Sequence, residues 1–265
     1  MKKLGLREQQ LITLEILKYF DQFCHTHNIK YSLGGGTLIG AVRHKGFIPW
    51  DDDIDIYICR DEYQRFVTHW NEKNHDRYEL SAAENIDSIM PGEITKICDK
   101  NTLLIDNKGR KSGIFMDIFI YDGVPNSPNI IYKMMKKHRR IKLRFSSCRK
   151  RWNRAQNGTL LYKILQKLSL FLFRKMENNL KEFQAKYPID KSNYIGLVLS
   201  DYGGWQKSYM PKSYFGNVIY LPFEGYNFPV MEKYHLHLTM YYGDYMQLPP
   251  LEEQKPQHTT EAYIL

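Results

Sequence analysis

GGGTLIGAVRHKGFIPWDDDIDI, residues 34–56, joins a glycine turn to a cluster of acids within one short passage. Thr37 follows the three glycines and is placed to cap a short helix running to about Arg43. Gly46 to Trp50, with Pro49 inside, reads as a turn. Ile54-Asp55-Ile56-Tyr57-Ile58 is then a strand of strongly β-prone residues. If that strand extends back over the acids, alternation puts Asp51, Asp53 and Asp55 on one face. Anions crowded in this way repel one another unless a cation sits among them. Their hard oxygen ligands favour magnesium, manganese or calcium over zinc.

Two other readings of the acids compete. Asp51, Asp53, Asp55 and Glu62 match positions 1, 3, 5 and 12 of a calcium loop, but Ile56 stands where the sharp turn needs glycine, and Pro49-Trp50 leave no entering helix. A merely solvated acidic turn sits poorly with the interleaved isoleucines. A further carboxylate, Asp117, lies in the apolar run Gly113-Ile-Phe-Met-Asp-Ile-Phe-Ile. Burying it costs several kcal/mol unless a metal or a basic partner such as a core Lys or Arg meets it. Two metals bridged by three such aspartates would stabilise the attacking and leaving oxygens of a displacement at phosphorus.

The glycines carry a second expectation. Gly35, Gly36 and Thr37 open a helix whose N-terminal N–H groups suit a phosphate. The pattern is neither a P-loop nor a dinucleotide fingerprint. Arg43, His44 and Lys45 stand between glycines and acids, either as phosphate partners or as a solvated basic turn.

Outward from this stretch, residues 6–27 form an amphipathic helix through Leu11, Leu14, Ile16, Leu17, Phe20 and Phe23. Ile29, Tyr31 and Leu33 alternate as a strand. Asp61 is placed to cap a helix carrying Tyr63, Phe66, Val67 and Trp70 on one face, and strands follow near 78–83, 93–98 and 113–121. Residues 129–187 read as helical, and a further helix lies near 232–242. The fold class is therefore α/β (α+β): a catalytic sheet flanked by helices, with a basic helical insertion. The chain divides as 1–125, the insertion 126–190, and a C-terminal part 191–265 completing the catalytic domain.

The net charge of +9 belongs to that insertion. Gly123 to Met176 holds fifteen Lys and Arg and no acid; the remaining 23 basic residues are outnumbered by 29 acidic ones. Next to these cations, residues 160–173 are markedly apolar. Either this stretch packs on the catalytic domain, or the segment rests on an anionic membrane surface. Cys24, Cys59, Cys98 and Cys148 form no CxxC pair and read as reduced thiols. Charged and polar residues after Lys3 break up any signal-peptide core, and no apolar run approaches the ~20 residues of a membrane span. The expected location is cytoplasmic, with possible peripheral contact at the inner face of the cell membrane.

Residues 34–56 resemble the signature of the LicD family, which includes bacterial phosphocholine transferases and is similar to the animal fukutin-related proteins. The likeness continues through Thr95-Lys96-Ile97, the Asp117 strand with Tyr121-Asp122-Gly123-Val124-Pro125, and Tyr242-Gly243-Asp244-Tyr245-Met246 with Leu248-Pro249-Pro250 and His258. The resemblance implies a nucleotidyltransferase-like fold in which Gly35-Gly36, Asp53/Asp55 and Asp117 are the catalytic elements, with Mg2+ or Mn2+ held by Asp53, Asp55 and Asp117 and assisted by Asp51. It implies transfer of a phospho-alcohol from a CDP-activated alcohol donor to a hydroxyl of a glycan or lipid-linked glycan acceptor. The donor diphosphate is expected near Gly35, Gly36 and Thr37, with Arg43, Lys45 and, more weakly, Lys96 as counter-charges, and His258 as a phosphate ligand or base. Ile120-Tyr121 departs from the expected Pro-Leu, which leaves the neighbouring loop in question. Nucleotidyl transfer is the rival enzymatic reading. Binding of nucleic acid through the basic segment is the non-enzymatic one, and no nucleic-acid partner is expected because only Phe145 and Trp152 stand near the charges as aromatic readers.

Overall fold

The computed structural model describes residues 1–107, 109–199, 209–256 and 260–265. Its first elements are β1 (Lys2–Lys3), α1 (Leu6–Thr26), β2 (Tyr31–Leu33), α2 (Gly35–Arg43), β3 (Asp55–Cys59) and α3 (Arg60–Asn71). β4 (Tyr78–Ser81), β5 (Thr95–Asp106) and β6 (Lys111–Val124) come next, before the long helices α4 (Pro128–Arg154) and α5 (Leu160–Lys186). The remainder comprises β7 (Tyr194–Gly196), β8 (Tyr209–Pro211), α6 (Lys212–Phe215), β9 (Val218–Phe223), β10 (Tyr226–Met231), α7 (Tyr234–Tyr242) and β11 (Thr260–Ile264).

The main sheet is mixed, in the order β1-β11-β5-β6-β3-β2, with β4 also on β5 and β7 linking β6 to β8. Strands β3 and β6 run parallel and lie near its middle. Their alternation sorts the side chains onto two faces. Ile54, Ile56 and Ile58 join Ile114, Met116, Ile118 and Ile120 in one core with Leu17, Phe20 and Phe23 of α1 and Tyr63, Phe66 and Trp70 of α3. The opposite face of the same strands carries Tyr57, Phe119 and Tyr121, packed against Ile195, Met210, Phe215 and Met231 from later in the chain.

The sequence expectations need four corrections here. Leu11 is exposed, while Leu14, Ile16, Leu17, Phe20 and Phe23 are buried as expected, together with Gln10, Thr13 and Cys24. Thr37 is not the cap of α2: Gly34 holds that position, and the Thr37 hydroxyl accepts from the Asp55 backbone N–H at 2.9 Å. Asp61 is likewise not the cap of α3; Cys59 is, and Asp61 lies in the first turn. β3 begins only at Asp55, so Asp51 and Asp53 share no strand face with it.

The helical segment is two helices broken at 155–159, packed as a hairpin. Ile141 and Phe145 of α4 meet Phe173 and Met176 of α5. Lys142 reaches Glu93 at 3.2 Å, and Gln184 reaches Asp122 at 2.8 Å, so both helices are tied to the sheet domain. Among the described residues no helix is long and apolar enough to cross a membrane. All four cysteines are free, and burial pushes the Cys24 and Cys59 thiols up and that of Cys98 to about 12, which keeps them protonated and inert.

Candidate active site

Sheet register builds the site. Asp55 on β3 lies opposite Asp117 on β6, and Asp117 lies opposite Lys96 on β5. Residues directly opposite across a ladder point to the same face, so Lys96, Asp117 and Asp55 form one row across three strands. The backbone N–H of Asp117 donates to the Ile54 carbonyl at 2.8 Å, which fixes the row at the very start of the β3–β6 ladder. All three side chains are buried. Asp53 joins from the preceding loop: Asp53, Asp55 and Asp117 each offer an oxygen within 4.8 Å of the others, and Asp51, Asp52 and Asp53 form a second such group.

Lys96 forms a direct ion pair with Asp117, and its ammonium also stands 3.4 Å from the centre of the Phe115 ring. Both readings of Asp117 made from sequence thus hold together: it has a basic partner and belongs to the acidic cluster. One cation does not balance the acids. Burial, and then the neighbouring Asp53, Asp117 and Asp51, push the Asp55 carboxyl well above the ordinary aspartate range, with Lys96 pulling the other way. A set of converging carboxylates that cannot all be comfortably ionised fits a hard divalent cation, which would reverse that repulsion.

The N-terminus of α2 is fastened to this row by three bonds. Gly34 N–H donates to Asp55 O at 2.9 Å, Asp55 N–H donates to Thr37 Oγ1 at 2.9 Å, and Gly35 N–H donates to the Tyr57 hydroxyl at 3.0 Å. The glycines make this approach possible. A Cβ on Gly34 would meet the Tyr57 ring at 2.7 Å, one on Gly36 would stand 2.5 Å from Asp51 Oδ2, and one on Gly35 would overlap the Asp55 carboxylate. Gly35 also has φ +47°, a conformation that L side chains resist. The room these residues leave is therefore filled in the first place by the carboxylates of Asp55 and Asp51. The N–H groups of Gly36 and Thr37, in the first turn, have no acceptor within the helix.

A cleft of about 320 Å3 opens on the cluster. Asp52, Asp53, Lys96 and Asp117 line it, and the β5–β6 hairpin adds Arg110 and Lys111. Asp52, Arg110 and Lys111 were not singled out from sequence. The signal for the two cations is their place at a hairpin tip, which only the pairing of β5 with β6 brings to this cleft; Arg110 is held there by Asp106 at 2.6 Å. Tyr57 was read simply as a strand residue, although its hydroxyl holds Gly35.

Arg43 and Lys45 lie at the other end of α2, about 12 Å from Gly35 at 1.5 Å per residue. The Arg43 guanidinium donates to the carbonyls of Tyr245 (2.8 Å) and Gln247 (3.2 Å), and Lys45 donates to Val42 O at 3.1 Å. Neither joins the acidic row. His258 lies outside the described residues.

Residues 28–146 match the family model described as LicD/FKTN/FKRP, nucleotidyltransferase domain. The lipopolysaccharide cholinephosphotransferase LicD of Haemophilus influenzae is 66% identical over 265 residues, the whole of both chains. An uncharacterized protein of Rickettsia typhi is 29% identical over 143 residues, 51% of this chain and 42% of its own. With Asp53, Asp55 and Asp117 converging in the matched region, and full-length similarity at two-thirds identity, the chain belongs to the LicD family of transferases.

Proposed function

We propose that the protein transfers phosphocholine from CDP-choline to a hydroxyl of a lipopolysaccharide-type glycan or its lipid-linked precursor, with Mg2+ or Mn2+ required. The observation that carries this reading is the row of Asp55, Asp117 and Lys96 beside a cleft, in a chain 66% identical throughout to a lipopolysaccharide cholinephosphotransferase. Asp53, Asp55 and Asp117 would hold the metal, with Asp51 assisting from the loop. Bound there, the metal would neutralise the diphosphate and stabilise charge on the transferring group.

The chain's own residues do the rest. The first-turn N–H groups of Gly36 and Thr37 face the donor diphosphate beside the carboxylates. Lys96 holds the Asp117 carboxylate through their direct ion pair. Lys111, and Arg110 beside it in its ion pair with Asp106, line the cleft and supply positive charge toward the donor. The acceptor oxygen attacks the phosphorus of phosphocholine, the bond to the CMP oxygen breaks, and the hydroxyl proton leaves to a carboxylate of the cluster. The same reading places the protein in the cytoplasm, at the inner face of the membrane where a lipid-linked acceptor is presented.

The test is incubation with CDP-choline, Mg2+ and acceptor glycan, followed by product mass spectrometry. The expected products are CMP and an acceptor heavier by one phosphocholine. An acceptor carrying cytidylyl instead, or full activity in excess chelator, would sink the proposal in its present form.

A further inference from the structure

The α4–α5 hairpin has two apolar surfaces, and only one of them is used in the fold. Leu165, Ser169, Phe173, Met176, Leu180 and Phe183 of α5 are buried. A second stripe on the same helix faces outward: Leu160 is 75% exposed, Leu161 59%, Ile164 52%, Leu168 44% and Phe171 60%. At 3.6 residues per turn these five fall within an arc of about 100°, centred about 120° away from the buried face. The apolar run of 160–173 is therefore split: Leu165 and Phe173 are packed within the fold, and the residues of this arc are left uncovered.

The exposed charge along the two helices is predominantly positive, with Glu182 of α5 beside Lys133 and Lys137 at the far end of the hairpin from the stripe. Exposed Lys163, Lys167 and Arg174 border the stripe along α5. The outer face of α4 presents Lys133, Lys136, Lys137, Arg140, Arg144 and Lys150, again exposed. No acidic side chain occurs anywhere in α4 or in α5 before Glu177. Leu143, 59% exposed, lies among the α4 cations, and Ile130 and Tyr132 are exposed nearer the start of the same helix.

We propose that this hairpin docks the enzyme on an anionic lipid bilayer, with the Leu160–Phe171 stripe lying in the headgroup region and the surrounding Lys and Arg against lipid phosphates. The stripe runs for about 17 Å, too short to span hydrocarbon but suited to a helix lying in the interface plane. Charge complementarity selects this occupant. A second copy joined through the same stripe would bring one dense cationic surface against another. A nucleic acid would satisfy the cations and leave five large apolar side chains in water. An anionic leaflet satisfies both. The inference does not depend on the identity of the transferred group, because binding and transfer are read separately.

Co-sedimentation of the full chain with vesicles tests it. Binding is expected to phosphatidylglycerol-containing vesicles at low salt, to weaken with added salt, and to be absent on pure phosphatidylcholine. In the wild type, hydrogen exchange of residues 160–171 is expected to slow when anionic vesicles are added. Combining Leu161→Gln, Ile164→Gln and Phe171→Gln should cut vesicle binding at least about tenfold, while the thermal melt and transfer to a soluble acceptor stay at the wild-type level. Replacing Arg140, Arg144, Lys163 and Lys167 with Gln should remove the salt dependence. A wild type that ignores anionic vesicles at low salt overturns the proposal, as does a stripe variant that binds them normally. A lipid-free dimer that the stripe variant converts to monomer assigns the face to a second copy instead. Tight RNA binding that survives in the stripe variant, without vesicle binding, assigns the cations to nucleic acid.

Discussion

Asp117 and His237 show how much one buried polar side chain can decide. Asp117 bridges Lys96 and the acids, so Asp117→Asn keeps its shape, removes one charge from the acidic cluster and weakens the bond to Lys96. On the proposed function, transfer should drop by at least about a hundredfold with the fold retained, since charge stabilisation at the reacting phosphorus would be lost. Near-normal turnover in this variant would remove Asp117 from the site. His237 stands in α7, between Leu236 and Leu238. It is fully buried against the Tyr57 and Tyr241 rings, and neither ring nitrogen has a hydrogen-bond partner among the described residues. Burial pulls its imidazole from 6.5 down to about 4. The unfolded chain therefore takes up a proton near 6.5 that the folded chain refuses until about 4. Stability is full above 6.5 and falls as the pH drops toward 4, by up to about 3 kcal/mol at roughly 1.4 kcal/mol per pH unit. His237→Phe keeps an aromatic ring and should flatten that decline. Parallel curves of urea midpoint against pH for the two proteins would show that His237 is not the source.

Between α2 and β3, three glycines and a threonine set the distance from a helix terminus to the acidic row. Gly36→Ala should displace Asp51 and lower transfer several-fold with a nearly unchanged melt, because one carboxylate at the edge of the site can move. Gly35→Ala should be worse on both counts. It meets the buried Asp55 and adds roughly 1–2 kcal/mol of left-handed backbone strain. Assays of both variants beside their melts check the order; equal effects would mean that the two positions do not differ as the carboxylates suggest. The strand itself was readable, since Ile54, Ile56 and Ile58 alternate with Asp55 and Tyr57. The caps were not. Thr37 has the side chain of a cap, but its hydroxyl serves a strand that follows eighteen residues later, and local preference cannot see that bond.

Across the whole molecule, the basic hairpin and the sheet are joined at Asp122. Arg60 of α3 donates to both Asp122 oxygens, at 2.8 and 3.1 Å, and to Glu84 at 2.9 Å, while Gln184 of α5 completes the Asp122 shell. Burial opposes the Arg60 charge, but Asp122 and Glu84 hold it more strongly still. Arg60→Met leaves a fully buried carboxylate without its cation and should cost about 3–5 kcal/mol. Adding Asp122→Leu should recover a good part of that loss. Chemical denaturation of the single and double variants measures both, and a double variant no more stable than Arg60→Met would mean that the lost pairing is not the cause.

From its sequence alone this chain determined its local periods and its chemical inventory: α1 and α3 by their apolar spacing, β3 by alternation and β6 as an apolar run, the acids of residues 51–55 and Asp117, and the concentration of positive charge between Gly123 and Met176. These are properties of neighbours along the chain, and they survive without knowledge of the fold. Tertiary structure alone decided which distant residues became partners. Register placed Lys96 beside Asp117 and Asp117 beside Asp55; packing gave the glycine space to carboxylates; the hairpin turned Arg110 and Lys111 to the cleft and carried Arg43 away from it. It also left one apolar face of α5 uncovered. Each of these is a long-range pairing set by strand order and helix packing, and a one-residue change of register would have undone the site while leaving every local pattern as it is.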